Sequence, residues 1–133
     1  MSRQKFSQNI KLAIYKAYEG KSGYLKIPIQ YLKMEIDHII PERVLLNPRE
    51  NEFEKWREKY DLEDGFDIHG LENLCPSTRE FNLAKHDKGL YEKPNAYEKH
   101  IKMALIKAKE LKPKIEELIK KNKKKLDLTN ATF

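Results

Sequence analysis

The chain has 133 residues, 39% hydrophobic and 36% charged, with a formal charge of +6. That length supports one modest core, and no apolar run approaches the about 18 residues a membrane span needs. A single cysteine, Cys75, excludes an internal disulfide framework and a cysteine-built zinc site.

The start, MSRQKFSQNIK, lacks the apolar stretch of a secretory signal, so the expected location is the cytoplasm. The positive excess is confined to one end. Residues 102–133 hold ten lysines against four acids, and the preceding 101 residues balance to zero. That tail reads either as a phosphate-attracting surface or as a solvated helix face.

In chain order, SQNIKLAIYKAYE predicts a helix over 7–19, with Phe6, Ile10, Ala13, Ile14 and Ala17 at helical spacing and Gly20 as the stop. GKSG is a turn. YLKIPIQYLKMEIDHIIP, rich in Ile, Tyr and Leu with Pro28 and Pro41 as breakers, predicts extended chain. A short helix is expected after Asn47-Pro48, with Phe53, Trp56 and Tyr60 on one side, and LEDGFDIHG reads as a polar loop. ENLCPSTREFNLAKHDKG predicts a short strand, a turn at Pro76-Ser77, and a helix capped by Ser77 or Thr78 and ending near Gly89.

From about 95 to 122 the chain reads as one more helix. Tyr97, Ile101, Ala104, Ala108, Leu111, Ile115 and Leu118 form a heptad-like stripe that would pack on the N-terminal helix or form a dimer seam. Pro113 lies off the stripe and predicts a kink or break, and the Lys-rich end predicts fraying. The expected fold class is mostly helical α+β. A small ββα core over about 21–89 is flanked by the two helices, in one domain spanning 1–133.

The chemistry concentrates in two places. Asp37 and His38 interrupt the apolar run MEIDHIIP, where unpartnered polar groups would cost several kcal/mol. Downstream lie Asn73, at the start of the second strand, and Asn82, Lys85 and His86, neighbours on the next helix. A carboxylate and an amide oxygen are hard ligands suited to Mg²⁺. A neutral imidazole beside such an ion can take a proton from water near pH 7. One metal and one base are sufficient parts for hydrolysing a phosphodiester.

The elements IDHIIP, ENLCP and FNLAKHDKG, in that order and with Asn73 and Asn82 nine residues apart, resemble the HNH endonuclease family in its His-Asn-Asn form. The resemblance covers about half the chain. It implies a ββα-metal fold and a Mg²⁺- or Mn²⁺-dependent endonuclease acting on DNA, with RNA left open as a substrate. By position it implies that Asp37 and Asn82 bind the metal, that His38 is the general base, and that Asn73 holds the loop between the strands. It offers His86 as a further metal ligand and Lys85 as a phosphate contact or a solvated residue.

One departure stands out. Many members carry a structural zinc on two Cys-x-x-Cys pairs, whose positions here are Ser22, Leu25, Thr78 and Phe81. No structural zinc is therefore expected, and Leu25 with Phe81 would fill that space. Glu35 should share a strand face with Asp37. His69 reads as a turn residue, His100 as a surface residue of the last helix, and the tyrosines and Trp56 as core or interface.

Two other function classes remain open at this level. One is a nucleic-acid-binding module without catalysis, or a nuclease subunit of a larger restriction or phage-defence complex that needs a partner. The other is an interaction subunit, whose homodimer or larger-complex partner would dock on the C-terminal helix. No membrane partner is expected.

Overall fold

A computed structural model describes residues 4–46, 49–86, 88 and 97–131, with the backbone alone given for 125–131. Helix α1 (Gln8–Ala17) begins where the Ser7 hydroxyl accepts a hydrogen bond from the Ile10 N–H at 3.2 Å. It ends where Gly20 takes φ +71°, a conformation glycine adopts without a Cβ penalty. The expected helix is therefore present and shorter by a residue or two at each end.

The next segment is less extended than its composition implies. Lys21 and Pro28 form an isolated bridge, and Tyr31–Lys33 is a 3-10 turn. Only Glu35–His38 forms a ladder, as strand β1. The reason is partner supply: β1 pairs antiparallel with the four-residue β2 (Leu74–Ser77), with Glu35 opposite Ser77 and His38 opposite Leu74. Pro76 can sit in β2 because each strand of a two-stranded sheet has a free edge. Its carbonyl accepts from the Gly23 N–H at 2.9 Å, which seats the 22–25 turn on β2. A Cβ on Gly23 would meet Cys75 Cβ at 2.6 Å, so only glycine allows this approach.

The stretch between the strands builds a small helical layer. Helix α2 (Arg43–Leu46) and helix α3 (Glu52–Tyr60) pack together, while Asn47 and Pro48 lie outside the described residues. Trp56 is fully buried and stacks on Tyr60 at 5.5 Å, as core aromatics do. Glu52 is buried at the joint. It accepts from Arg43 Nη1 at 2.9 Å and Nη2 at 2.5 Å, and from the Arg49 N–H at 3.1 Å. The Arg43 hydrogen bonds hold its carboxyl down to about 2.

Helix α4 (Arg79–Lys85) is capped by the Thr78 hydroxyl, which accepts from the Phe81 N–H at 3.2 Å. Its expected end near Gly89 lies outside the described residues, and the helix stops at Lys85. Helix α5 (Glu98–Ala131) runs through Pro113 without interruption and past the expected end, so the predicted break is absent from the backbone. Pro113 lacks an N–H, but its ring adds no break where the neighbouring turns hold the helix.

The apolar stripe is spent inside the chain. Ile101, Ala104, Ala108 and Ile115 are fully buried, and α5 packs along α1. The alanines of both helices allow close approach, and the Asn9 amide adds a bond to the Ile119 carbonyl at 3.2 Å. The architecture is mostly helical α+β, as expected: one hydrophobic cluster joins α1, α5, both strands and the α3 layer. Among the described residues, no helix is long and apolar enough to cross a membrane.

Removing one partner of a buried ion pair typically costs about 3–5 kcal/mol, and Arg43 can still reach water. Glu52→Ala should therefore lower stability by about 3 kcal/mol, read from the urea midpoint. A carboxyl held down on folding contributes stability that is full above its unfolded pKa and lost as pH falls through the folded one. The wild-type protein should lose that contribution between about pH 4.5 and pH 2, and the variant should show no such component.

Candidate functional site

Strand alternation sends neighbouring side chains to opposite sides, and Asp37 and His38 accordingly meet different partners. Asp37 is 8% exposed. Its Oδ2 accepts from the Tyr24 hydroxyl and lies 3.3 Å from Lys85 Nζ. Lys85 is 1% exposed, and its ammonium also donates to the carbonyls of Ile39 at 3.2 Å and His38 at 3.5 Å. The Tyr24 ring lies 5.6 Å from the same ammonium. Lys85 is thus neither solvated nor open to a phosphate in this arrangement; the carboxylate one strand away captures it.

The neighbours follow from that capture. Asn82, one turn before Lys85, points its amide at Glu35, donating to Oε1 at 3.2 Å. Glu35 shares the Asp37 face as expected, but it is paired with Asn82. His86 is the exposed C-cap of α4, at φ +38° and ψ −117°. No described contact joins Asn82 or His86 to Asp37.

Asp37 and Asn82 are thus each held by a partner of their own, Lys85 and Glu35. Among the described residues, no group of three His, Cys, Asp or Glu side chains converges on a point. With the Lys85 ammonium and the Tyr24 hydroxyl both on Asp37 Oδ2, this arrangement does not fit a divalent ion.

His38 sits in a second cluster. Its Nε2 lies 2.7 Å from Gln4 Oε1 and 3.9 Å from Glu42 Oε2. Gln4 Nε2 donates to the His69 carbonyl at 3.0 Å, which only accepts, so the Gln4 oxygen must face His38. His38 Nε2 then carries the proton, and Nδ1 keeps the free lone pair in the neutral ring. The Gln4 N–H donates to Glu42 Oε2 at 2.9 Å, and His69 Nε2 lies 3.0 Å from the same oxygen. Burial lowers the His38 pKa from its ordinary value, against the opposing pull of the Glu42 and Asp37 carboxylates. The imidazole is thereby held neutral near pH 7.

Asn73 fixes where His38 ends up, as the resemblance implied. Buried completely, its Oδ1 accepts from the Ile40 N–H at 2.7 Å. Its Nδ2 donates to the carbonyls of Ile40 at 2.9 Å and Ile68 at 2.8 Å. The backbone adds a bond from the Ile39 N–H to the Asn73 carbonyl at 2.8 Å. The chain leaving β1 is stitched to the chain entering β2.

At the four positions where zinc cysteines would fall, two hydroxyls close turns instead. Ser22 Oγ accepts from the Leu25 N–H at 3.1 Å, and Thr78 Oγ1 does the same for Phe81. Phe81 stacks on Tyr24 at 4.7 Å and packs edge-on against Tyr97 and His100. The partner of Phe81 is therefore Tyr24 and not Leu25, which is 38% exposed. His100 is drawn in as well, with Nδ1 3.2 Å from the Tyr24 carbonyl.

Sequence reasoning missed Tyr24, Gln4 and Glu42. Glu42 had a signal, its spacing of four from His38. Tyr24 and Gln4 had none, because their partners lie 13 and 34 residues away.

Asn73→Ala leaves three buried backbone groups without partners at about 1–3 kcal/mol each, so urea denaturation should show a loss of at least about 3 kcal/mol. A histidine whose pKa is lowered on folding stabilises fully above its unfolded value and less as pH falls. The wild-type melting temperature should therefore drop as pH falls below about 6.5, and His38→Gln should flatten that slope. Comparison with known proteins adds nothing to these contacts: no family model, curated protein or solved structure matches the chain.

Proposed function

We propose that this chain is an HNH-type endonuclease that hydrolyses phosphodiester bonds in DNA, with His38 as the general base. The observation that carries the reading is the state of His38 at the end of β1. It is a largely buried, neutral imidazole with Nε2 committed to Gln4 and Nδ1 left basic. A base for water needs that protonation state near pH 7. The ββα order of β1, β2 and α4, with Asn73 stitching the strands, supports the same reading.

In this reading His38 Nδ1 accepts a proton from water as the oxygen attacks phosphorus and the 3′ oxygen leaves. Gln4 is a positioning residue that holds the ring and its tautomer. Glu42 favours the imidazolium formed in the step, because its carboxylate lies 3.9 Å from Nε2. No step is drawn through a metal ion, since Lys85 occupies Asp37.

That same occupation favours a second reading, a nucleic-acid-binding module without catalysis. The surface lysines leave binding open in either case, although Lys102, Lys109, Lys112 and Lys121 are ion-paired with acids. Such exposed pairs are weak and would yield readily to phosphate.

Nicking of supercoiled plasmid by the purified protein, with Mg²⁺, with Mn²⁺ and with EDTA, separates the two. The nuclease reading expects cleavage that His38→Ala slows by about 10²–10⁴-fold, with DNA affinity unchanged, and the EDTA lane reports whether a metal ion takes part. Salt-sensitive DNA binding without cleavage in any metal would leave the binding module as the function.

A further inference from the structure

We propose that His69 is a second catalytic residue, the general acid that protonates the leaving 3′ oxygen while His38 deprotonates water. The inference rests on the nuclease reading above and supplies the half of the reaction to which that reading assigns no residue.

Three observations carry it. The first is how firmly an exposed loop histidine is held. The His69 ring Nε2 lies 3.0 Å from Glu42 Oε2, its backbone N–H donates to Asp67 Oδ1 at 2.9 Å, and its carbonyl accepts from Gln4 Nε2 at 3.0 Å. A carboxylate only accepts, so Nε2 carries one proton, and the second proton of the imidazolium sits on Nδ1. Among the described residues no hydrogen bond engages Nδ1.

The second observation is placement. The His38 and His69 rings stand edge to face with centroids 6.0 Å apart. The His38 side chain is 12% exposed and that of His69 is 40% exposed, so the base lies at the floor of the cluster and the acid at its rim. An acid and a base for one displacement must flank the phosphorus, each within about 2.6–3.2 Å of its own oxygen. Two imidazoles at this spacing can serve the attacking and the leaving oxygen of one phosphate.

The third is the charge they share. Glu42 Oε2 faces both rings, 3.0 Å from His69 Nε2 and 3.9 Å from His38 Nε2. A water proton passes to His38 Nδ1 as the water oxygen bonds to phosphorus. The bond from phosphorus to the 3′ oxygen breaks, and that oxygen keeps the electron pair and takes the proton from His69 Nδ1. One positive charge thus leaves His69 as one appears on His38, and the same carboxylate pairs with the imidazolium before and after. A partly buried cluster thereby avoids creating an uncompensated charge. A proton returning from His38 to His69 through solvent restores the site.

The test uses a DNA duplex that wild type cuts, alongside the same duplex with a bridging 3′-sulfur at the cut linkage. A thiolate is a much weaker base than an alkoxide and leaves without a proton, so the sulfur duplex bypasses a general acid and nothing else. His69→Ala should cleave the ordinary duplex about 10²–10⁴-fold more slowly than wild type, and the sulfur duplex less than about threefold more slowly. His38→Ala should be slow on both. His69→Gln keeps a donor for Glu42 but has no acidic proton, so it should behave as His69→Ala does.

Equal slowing of His69→Ala on the two duplexes overturns the proposal and leaves the nuclease standing, since His69 would then only position the cluster. Wild-type cleavage of the ordinary duplex by His69→Gln overturns it on the same ground, and that variant decides alone if His69→Ala does not fold. Undiminished cleavage by His69→Ala overturns it as well. Wild type that cleaves no DNA removes the nuclease and its acid together.

Discussion

Four hydrogen bonds at Asn73 set the geometry on which both clusters depend. Its side chain closes on Ile40 and Ile68, and its carbonyl receives the Ile39 N–H. A two-stranded ladder of four residues has little capacity to hold its own register. The stitch supplies it, because sliding β1 by one residue would break the three of those bonds made to Ile39 and Ile40. It also decides which side each neighbour takes, and so sends Asp37 toward α4 while His38 meets the N-terminal arm.

The Asp37 side shows how a short sheet tolerates a buried carboxylate. Lys85 neutralises it, Tyr24 bonds it, and the carbonyls of His38 and Ile39 satisfy the remaining ammonium donors. A charge pair of this kind is weak evidence for net stability, since desolvation offsets most of the attraction. Its value lies in docking: α4 can seat against β1 in only one rotation that brings Lys85 to Asp37. Asn82 and Glu35 then follow one turn away. Tyr24 joins this contact to the aromatic cluster with Phe81, Tyr97 and His100, so the 22–25 turn, α4 and α5 are fixed around one ring.

The His38 side is organised by neutrality instead. Burial disfavours the imidazolium, while Glu42 restrains the shift. Gln4 selects the tautomer through a chain of bonds ending at the His69 carbonyl. The helical layer of α2 and α3 begins directly after this cluster in the chain. Glu42 immediately precedes α2, and the Glu52–Arg43 pair locks α2 onto α3. The carboxylate beside the candidate base thus stands at the start of this layer.

What could be read in advance was what short-range chemistry encodes. Thr78, weighed with Ser77, announced one helix start, the Ile101–Ile115 stripe announced a buried face, and the family resemblance implied Asn73 as a loop anchor. The break expected at Pro113 does not occur, because the proline's local penalty is outweighed by the packing of α5 from Ile101 to Ile115. The pairing of Asp37 with Lys85 could not be read in advance, for another reason. Residue types show which ligands exist, not which cation reaches the carboxylate first. Lys85 to Asp37, Gln4 to His38 and Tyr24 to Phe81 are contacts between segments far apart in the chain. Only tertiary packing sets their distances, and at a buried carboxylate a nearby ammonium that is already tethered wins over free rotation in solvent. The sequence by itself determined the elements, their order and the candidate residues; the fold decided the partners, because charge and hydrogen-bond pairing are settled by geometry within a few ångströms.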